Sequence, residues 1–254
     1  MKVEILLDSI NPFNGIRLTT FALEYPQNIH HQVLTHRMFS RNSMSLRAMS
    51  FERVAELPIA EKAWTLEKKG MVGELASEDI VVRAYNIIER MQANVIDYCI
   101  KLKSLGIHHQ DINDYLRPFL NIQVVLSATE FDNWFKLRLA KDAKPDIYNL
   151  ALAMKEAMED SKPVKQKQHI PCLNTFLEKW DLTFNDKRLL SAARLARYSY
   201  MKFSDSINED IRLANKLIAN KHASPFEHIA TATEDDNFYN NFRGWKQFRQ
   251  EIGL

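Results

Sequence analysis

The apolar positions of the chain fall into two kinds of pattern. Val3–Leu7 and Arg17–Tyr25 are short β-like stretches, separated by an Asn/Pro/Gly turn at Asn11–Gly15. Ile122–Thr129 has the same character and predicts a third strand, and Phe226–Thr233 is β-like as well. Elsewhere the spacing is helical. Val81, Tyr85, Ile88, Val95, Cys99 and Leu102 recur on one helical face. They predict a long helix that starts after an N-cap Ser77, sets Glu78 and Asp79 against its dipole, and stops near Gly106.

Shorter helices complete the pattern. Pro26 opens one that carries Ile29, Val33 and Leu34 toward Thr35, and Phe131–Arg138 makes a helical turn or two. Pro145 stands as the first residue of another, with Ile147, Leu150, Met154 and Met158 on one face. Lys187–Tyr198 and a segment opening with the capping pair Ser206 and Glu209 add two more, and Phe242–Ile252 predicts a last short one. Arg37–Ser50 has neither period and reads as a structured loop, and Ser161–His169 as a basic connector. Helices dominate over a few strands. The class is α+β, a helix-rich single domain over residues 1–254 with a small, mostly antiparallel sheet.

Composition narrows the function. A chain of 254 residues with 46% hydrophobic and 26% charged residues has the balance of a soluble globular domain. No apolar run is long enough to span a bilayer, so no membrane association is expected. A net charge of +2 gives no global reason to expect nucleic acid as a partner. The two cysteines, Cys99 and Cys172, form no CxxC pair and point to a reducing, cytoplasmic setting. The six glycines form neither GxGxxG nor GxxxxGK, so any nucleotide or flavin must be held by side chains and helix ends.

One stretch concentrates such side chains. Between Thr35 and Arg47 lie three arginines, one histidine, three serines and an asparagine, uninterrupted by a carboxylate. Guanidinium groups offer bidentate forks for phosphate, and hydroxyls and amides fix orientation. On composition alone, a solvated basic loop remains open.

The spacing adds a resemblance. His36, Arg37, Ser40, Asn42, Ser45 and Arg47 match six of the seven fixed positions of R-H-R-x-x-S-x-N-x-x-S-x-R, the signature of the flavin-dependent thymidylate synthases; Thr35 stands at the seventh. His222-Ala223-Ser224-Pro225-Phe226-Glu227-His228 is similar to that family's H-x-S/T-P-F-E-H segment, and Ala196–Ser199 to its A-R-V-S stretch. Asn133, Arg138 and the run Ala143–Ile147 resemble its N-x4-R and A-Q-x-E-I elements. In the usual members the H-x-S-P-F-E-H segment precedes the signature. Here it follows near the other end, as in a circularly permuted, phage-type member.

The resemblance implies a homotetramer of non-Rossmann fold. It would use FAD, reduced by NAD(P)H, with methylenetetrahydrofolate as one-carbon donor and the pyrimidine nucleotide dUMP as acceptor. Carried over by position, His36, Arg37, Asn42, Asn133, Ser199, His222 and Ser224 contact FAD or shape its pocket. Gln32, Ser45, Arg47 and Arg138 bind dUMP. Arg138 is the candidate catalytic group, stabilising the charge that develops as uracil C5 attacks. No metal is implied.

Three positions depart from the family pattern. Thr35 replaces an arginine, with Arg41 as a possible substitute; Ser43 replaces a glutamate; and Asp114 stands near an expected arginine, with Arg117 one turn on. These leave open a dCMP methylase, a pyrimidine hydroxymethylase, or an inactive nucleotide-binding homologue. Cys172 after Pro171 lacks the surroundings of a nucleophile and reads as packing, and the pairs His30-His31 and His108-His109 lack metal-ligand spacing.

Overall fold

The computed structural model describes residues 1–68, 73–173, 180–200 and 204–254, with backbone alone at 199 and 200. In chain order the strands are β1 (Lys2–Ile10), β2 (Arg17–Pro26), β3 (Ser40–Ser43), β4 (Asn121–Ala128), β5 (Val164–Lys165), β6 (Gln168–His169), β7 (Ala230–Ala232), β8 (Phe238–Tyr239), β9 (Phe242–Arg243) and β10 (Trp245–Gln247). The helices are α1 (His30–Leu34), α2 (Phe51–Ala55), α3 (Glu78–Ser104), α4 (His109–Ile112), α5 (Asp132–Arg138), α6 (Pro145–Asp160), α7 (Phe184–Tyr200), α8 (Ile207–Ala219) and α9 (Phe248–Glu251). Tighter 3-10 turns cover Gln27–Ile29, Leu46–Ala48, Asn113–Phe119 and Ser224–His228. The helix-rich α+β class expected from the sequence is the one observed.

A five-stranded sheet in the order β3-β4-β2-β1-β5 forms the frame, antiparallel except where β1 meets β5. Side chains alternate between its two faces, and helices cover both. Phe21, Leu23, Tyr25, Val124 and Leu126 share one face and pack with Trp134 of α5 and Ile147, Leu150 and Met154 of α6. Val125 points the other way, into a second core with Ala192, Leu195, Ala214, Phe226 and Phe248. β1 alternates likewise, Ile5 serving the first core and Leu6 the second, and its register against β2 shifts between Ile5 and Leu7.

The second face also carries a buried polar chain. His228 Nδ1 meets Ser127 Oγ at 2.8 Å, Ser127 meets Thr20 at 2.6 Å, and Thr20 meets His169 Nε2 at 2.7 Å. His169 Nδ1 then meets Ser9 Oγ at 2.7 Å, and Gln166 donates to Ser9 at 2.7 Å. Burial lowers the pKa of both histidines to about 3, so both are neutral.

The structure corrects four sequence expectations. Ser40–Ser43 lies in the segment read as a loop, yet it is the edge strand β3. The connector 161–169 contains β5 and β6. Phe226–Thr233 is a strand only over Ala230–Ala232, because Pro225 sits in a 3-10 turn. Phe242–Ile252 holds two short strands before α9, separated by Gly244 at φ 68°, a conformation that stops a helix. No described helix is long and apolar enough to cross a membrane.

Candidate functional site

The final carbonyls of a helix need donors from outside it. At the end of α1 two arginines supply them. Arg41 Nη1 donates to Val33 O at 3.1 Å and to His36 O at 3.3 Å. Arg138, at the end of α5, donates from Nη2 to Gln32 O at 3.3 Å and to Thr35 Oγ1 at 3.1 Å. The Thr35 hydroxyl in turn donates to Gln32 O at 2.6 Å. Thr35 therefore has a role of its own, orienting Arg138, and an arginine at this position would remove that acceptor.

His36 completes the cluster. Its ring is buried, edge-on to Trp134 at 4.8 Å and stacked on Phe39 at 5.7 Å. Arg138 Nε donates to its Nε2 at 3.0 Å, so Nε2 carries the lone pair and Nδ1 the proton. Burial, with Arg138 and Arg41 nearby, lowers the His36 pKa to about 4 and keeps the ring neutral.

Asn42 joins the early and late segments of the chain. Its buried amide donates from Nδ2 to Leu195 O of α7 at 2.8 Å, and its Oδ1 accepts from Ser224 Oγ at 3.4 Å. Two residues earlier, Ser40 Oγ accepts from Gln247 Nε2 at 2.9 Å, and Gln247 also donates to Glu227 O at 2.9 Å. The segment 222–228 thus packs directly on β3, although it lies at the other end of the sequence.

Other predicted residues are more open. Arg37, Asn133 and His222 are exposed. Arg37 and Asn133 line a cleft of about 230 Å3 between residues 35–39 and Glu130, Asp132, Asn133 and Trp134. Ser45 is half-buried ahead of the turn that carries Arg47. Arg47 lines a different, shallow cleft of about 340 Å3 with Gln110, Asp111, Asp114 and Arg117. Within it Arg117 Nε donates to Asp114 at 2.7 Å, so the carboxylate and the arginine that follows it hold each other. The side chain of Ser199 lies outside the described residues.

The fold thus brings Gln32, His36 and Arg138 into one hydrogen-bonded cluster and links Asn42 to Ser224. It does not place Arg47 in the same cleft within one chain. Residues 13–164 match the family described as thymidylate synthase complementing protein. The chain belongs to that family. A UMP/dUMP methylase, PolB from Streptomyces cacaoi, solved with 5-Br UMP bound, shares the fold: TM-score 0.50, 14% identity, 62% of this chain and 88% of that one. No curated protein matches the sequence significantly.

Within this family member, several supporting residues carried no sequence signal. Gln247, Phe39 and Trp134 set the geometry through long-range contacts that no local pattern reveals. Burial pushes the Cys172 thiol up to about 12, the reverse of an activated nucleophile. His30 makes a local hydrogen bond, its Nδ1 meeting the buried Tyr25 hydroxyl at 2.9 Å.

Proposed function

We propose that this chain is a flavin-dependent thymidylate synthase. It converts dUMP to dTMP with methylenetetrahydrofolate as one-carbon donor, NAD(P)H as reductant and FAD as cofactor. One observation carries the reading: Arg37, Arg41, Arg47 and Arg138, all at or beside the family signature, make no ion pair with a carboxylate among the described residues. Elsewhere Arg17, Arg188, Arg194, Arg243 and Arg249 are neutralised by acids, whereas Arg90 and Arg212 stand exposed on helix surfaces away from the signature. Four such arginines favour an anionic ligand. A UMP/dUMP methylase of the same fold supports a uracil nucleotide as that ligand.

The donor set suits a flavin dinucleotide. Arg37, Asn133 and His222 are accessible and would hold it, and His36 would offer its Nδ1–H. Asn42 and Ser224 satisfy each other and shape the wall. A bound flavin, once reduced by NAD(P)H, would supply the two electrons that take the transferred carbon to the methyl level. Arg138, clamped at Nε and Nη2 by His36, Thr35 and Gln32, keeps a fixed positive charge for the uracil carbonyl, where charge develops as C5 attacks. Arg47 and Ser45 bind and position the nucleotide.

The His36 cleft and the Arg47 cleft share no lining residue in one chain. That separation supports a homotetramer whose subunits complete each other's sites. The purified protein should absorb near ~450 nm, as oxidised bound flavin does, and release tritium from C5-labelled dUMP. A colourless protein that cannot be reconstituted with FAD overturns the reading. Tritium release from dCMP alone would shift it to the cytosine nucleotide.

A further inference from the structure

The buried polar chain on the second face of the sheet connects the connector 161–169 with the wall of the candidate site. Five hydrogen bonds lead from Gln166, between β5 and β6, through Ser9, His169, Thr20 and Ser127 to His228. Ser9, Thr20, Ser127 and both histidines are fully buried, while Gln166 is half-buried at the outer end. His228 closes the turn Ser224–His228, whose Ser224 hydroxyl and Glu227 carbonyl are held by Asn42 and Gln247.

Each link needs one donor and one acceptor. A hydroxyl has one proton to give, and a neutral imidazole has one N–H and one lone pair. Both rings are neutral, as their burial requires. Once one link has a direction, therefore, every other link must follow it. Only two arrangements make all the bonds, and they run opposite ways.

The outer end decides between them. Gln166 Nε2 donates to Ser9 Oγ at 2.7 Å, so Ser9 accepts there and turns its own proton to Nδ1 of His169. His169 then gives its Nε2 proton to Thr20, Thr20 donates to Ser127, and Ser127 donates to Nδ1 of His228. His228 is left with its proton on Nε2, a buried atom with no partner among the described residues. Run the other way, the chain would strand the Ser9 proton as well, because that hydroxyl meets only His169 and Gln166 among the described residues. Two buried polar atoms would then be unmatched instead of one. An acceptor in place of the Gln166 N–H would remove that difference and reverse every link.

We propose that Gln166 is a positioning residue that sets the direction of the whole chain and so makes Nε2 of His228 a hydrogen-bond donor inside the wall. The chain transmits direction and not charge: the amide at its outer end has no proton to release at ordinary pH, so no net proton reaches His228. That residues 222–228 wall a flavin site rests on the reading proposed above. The direction of the chain does not.

Solid-state NMR of the full chain with isotope-labelled histidine rings tests it, because the ring nitrogens report which of them carries the proton. In the wild type His169 and His228 should both carry it on Nε2. Gln166→Glu puts an acceptor where a donor stood, and at about pH 7 both rings should switch to Nδ1–H. Gln166→Leu deletes the contact without offering an acceptor, and both rings should keep the wild-type form. Loss of a merely structural contact would affect the two variants alike. Far-ultraviolet dichroism identifies folded samples, and the wild-type tautomers decide even where a variant does not fold. Nδ1–H rings in the wild type, Nε2–H rings persisting in folded Gln166→Glu, or a switch in folded Gln166→Leu would each overturn the assignment. Flavin absorbance of the same samples reports on the catalytic reading separately.

Discussion

Arg138 gives its Nε proton to Nε2 of His36 at 3.0 Å, across 102 residues of sequence. That one hydrogen bond fixes the tautomer of the histidine and the direction of the guanidinium together. It assigns the histidine a supporting part: one ring nitrogen is already committed to the arginine, and only Nδ1–H remains for a ligand. Burial lowers the Arg138 pKa, yet the guanidinium stays charged because an arginine starts so high.

Removing that charge should separate binding of the cofactor from turnover. Arg138→Ala is expected to lower kcat/KM for dUMP by roughly 10²–10³-fold, the usual loss on deleting one preorganised charge donor. Flavin absorbance should persist. Loss of flavin with unimpaired tritium release would contradict the part given to this residue.

His169 and His228, with pKa values lowered to about 3, stay neutral in the folded protein, whereas an unfolded chain protonates them near the ordinary value of about 6.5. Their contribution to stability is therefore complete above that value. It is lost as pH falls from there toward the folded values, by up to about 1.4 kcal/mol per pH unit for each histidine. Urea unfolding at about pH 7 and about pH 5.5 reads this directly. A midpoint that does not move between the two would show that these rings titrate normally.

Asn42→Ala leaves the Leu195 carbonyl and Ser224 hydroxyl without their shared partner. An unsatisfied buried group costs about 1–3 kcal/mol, which lowers Tm by several degrees in a chain of this size. FAD affinity should fall with it, since the wall formed by residues 222–228 keeps only the Gln247 bridge from Ser40 to Glu227 O and loses its direct hydrogen bond to β3. Equal Tm and equal flavin affinity would remove Asn42 from the site.

Asp210 is fully buried and accepts from Arg197 Nε at 2.8 Å and Arg194 Nε at 3.2 Å, tying α8 to α7. Asp210→Ala removes the carboxylate that both arginines share, while Arg194 keeps Cys172 O and Arg197 keeps Glu209, and is expected to destabilise the fold by about 1–3 kcal/mol. Chemical denaturation checks this; a change below about 1 kcal/mol would mean that solvent reaches both arginines.

These residues also show what the sequence could reveal. The β2 and β4 strands and the α3, α6 and α8 helices were legible because their periods answer to adjacent cores, and Ser206 caps α8 by accepting from Glu209 N. β3 was not legible. Its inward residues Ser40 and Asn42 are polar, satisfied by Gln247, Leu195 and Ser224 rather than by apolar packing, so no hydrophobic alternation marks it. The signature suggested which residues to place in the candidate site, but not that Thr35 hydrogen-bonds Arg138 or that Asp114 is tied to Arg117. Those are distances, which local sequence does not encode.

The hydrogen bond between Asn42 and Ser224 spans 182 residues. A ribosome adding roughly 5–20 residues per second therefore exposes the signature ten to forty seconds before its wall exists. During that interval the β3 edge, with its polar inward side chains, waits without the segment that covers it. The candidate site is a late product of synthesis, completed only once residues 222–228 have followed the signature out of the ribosome.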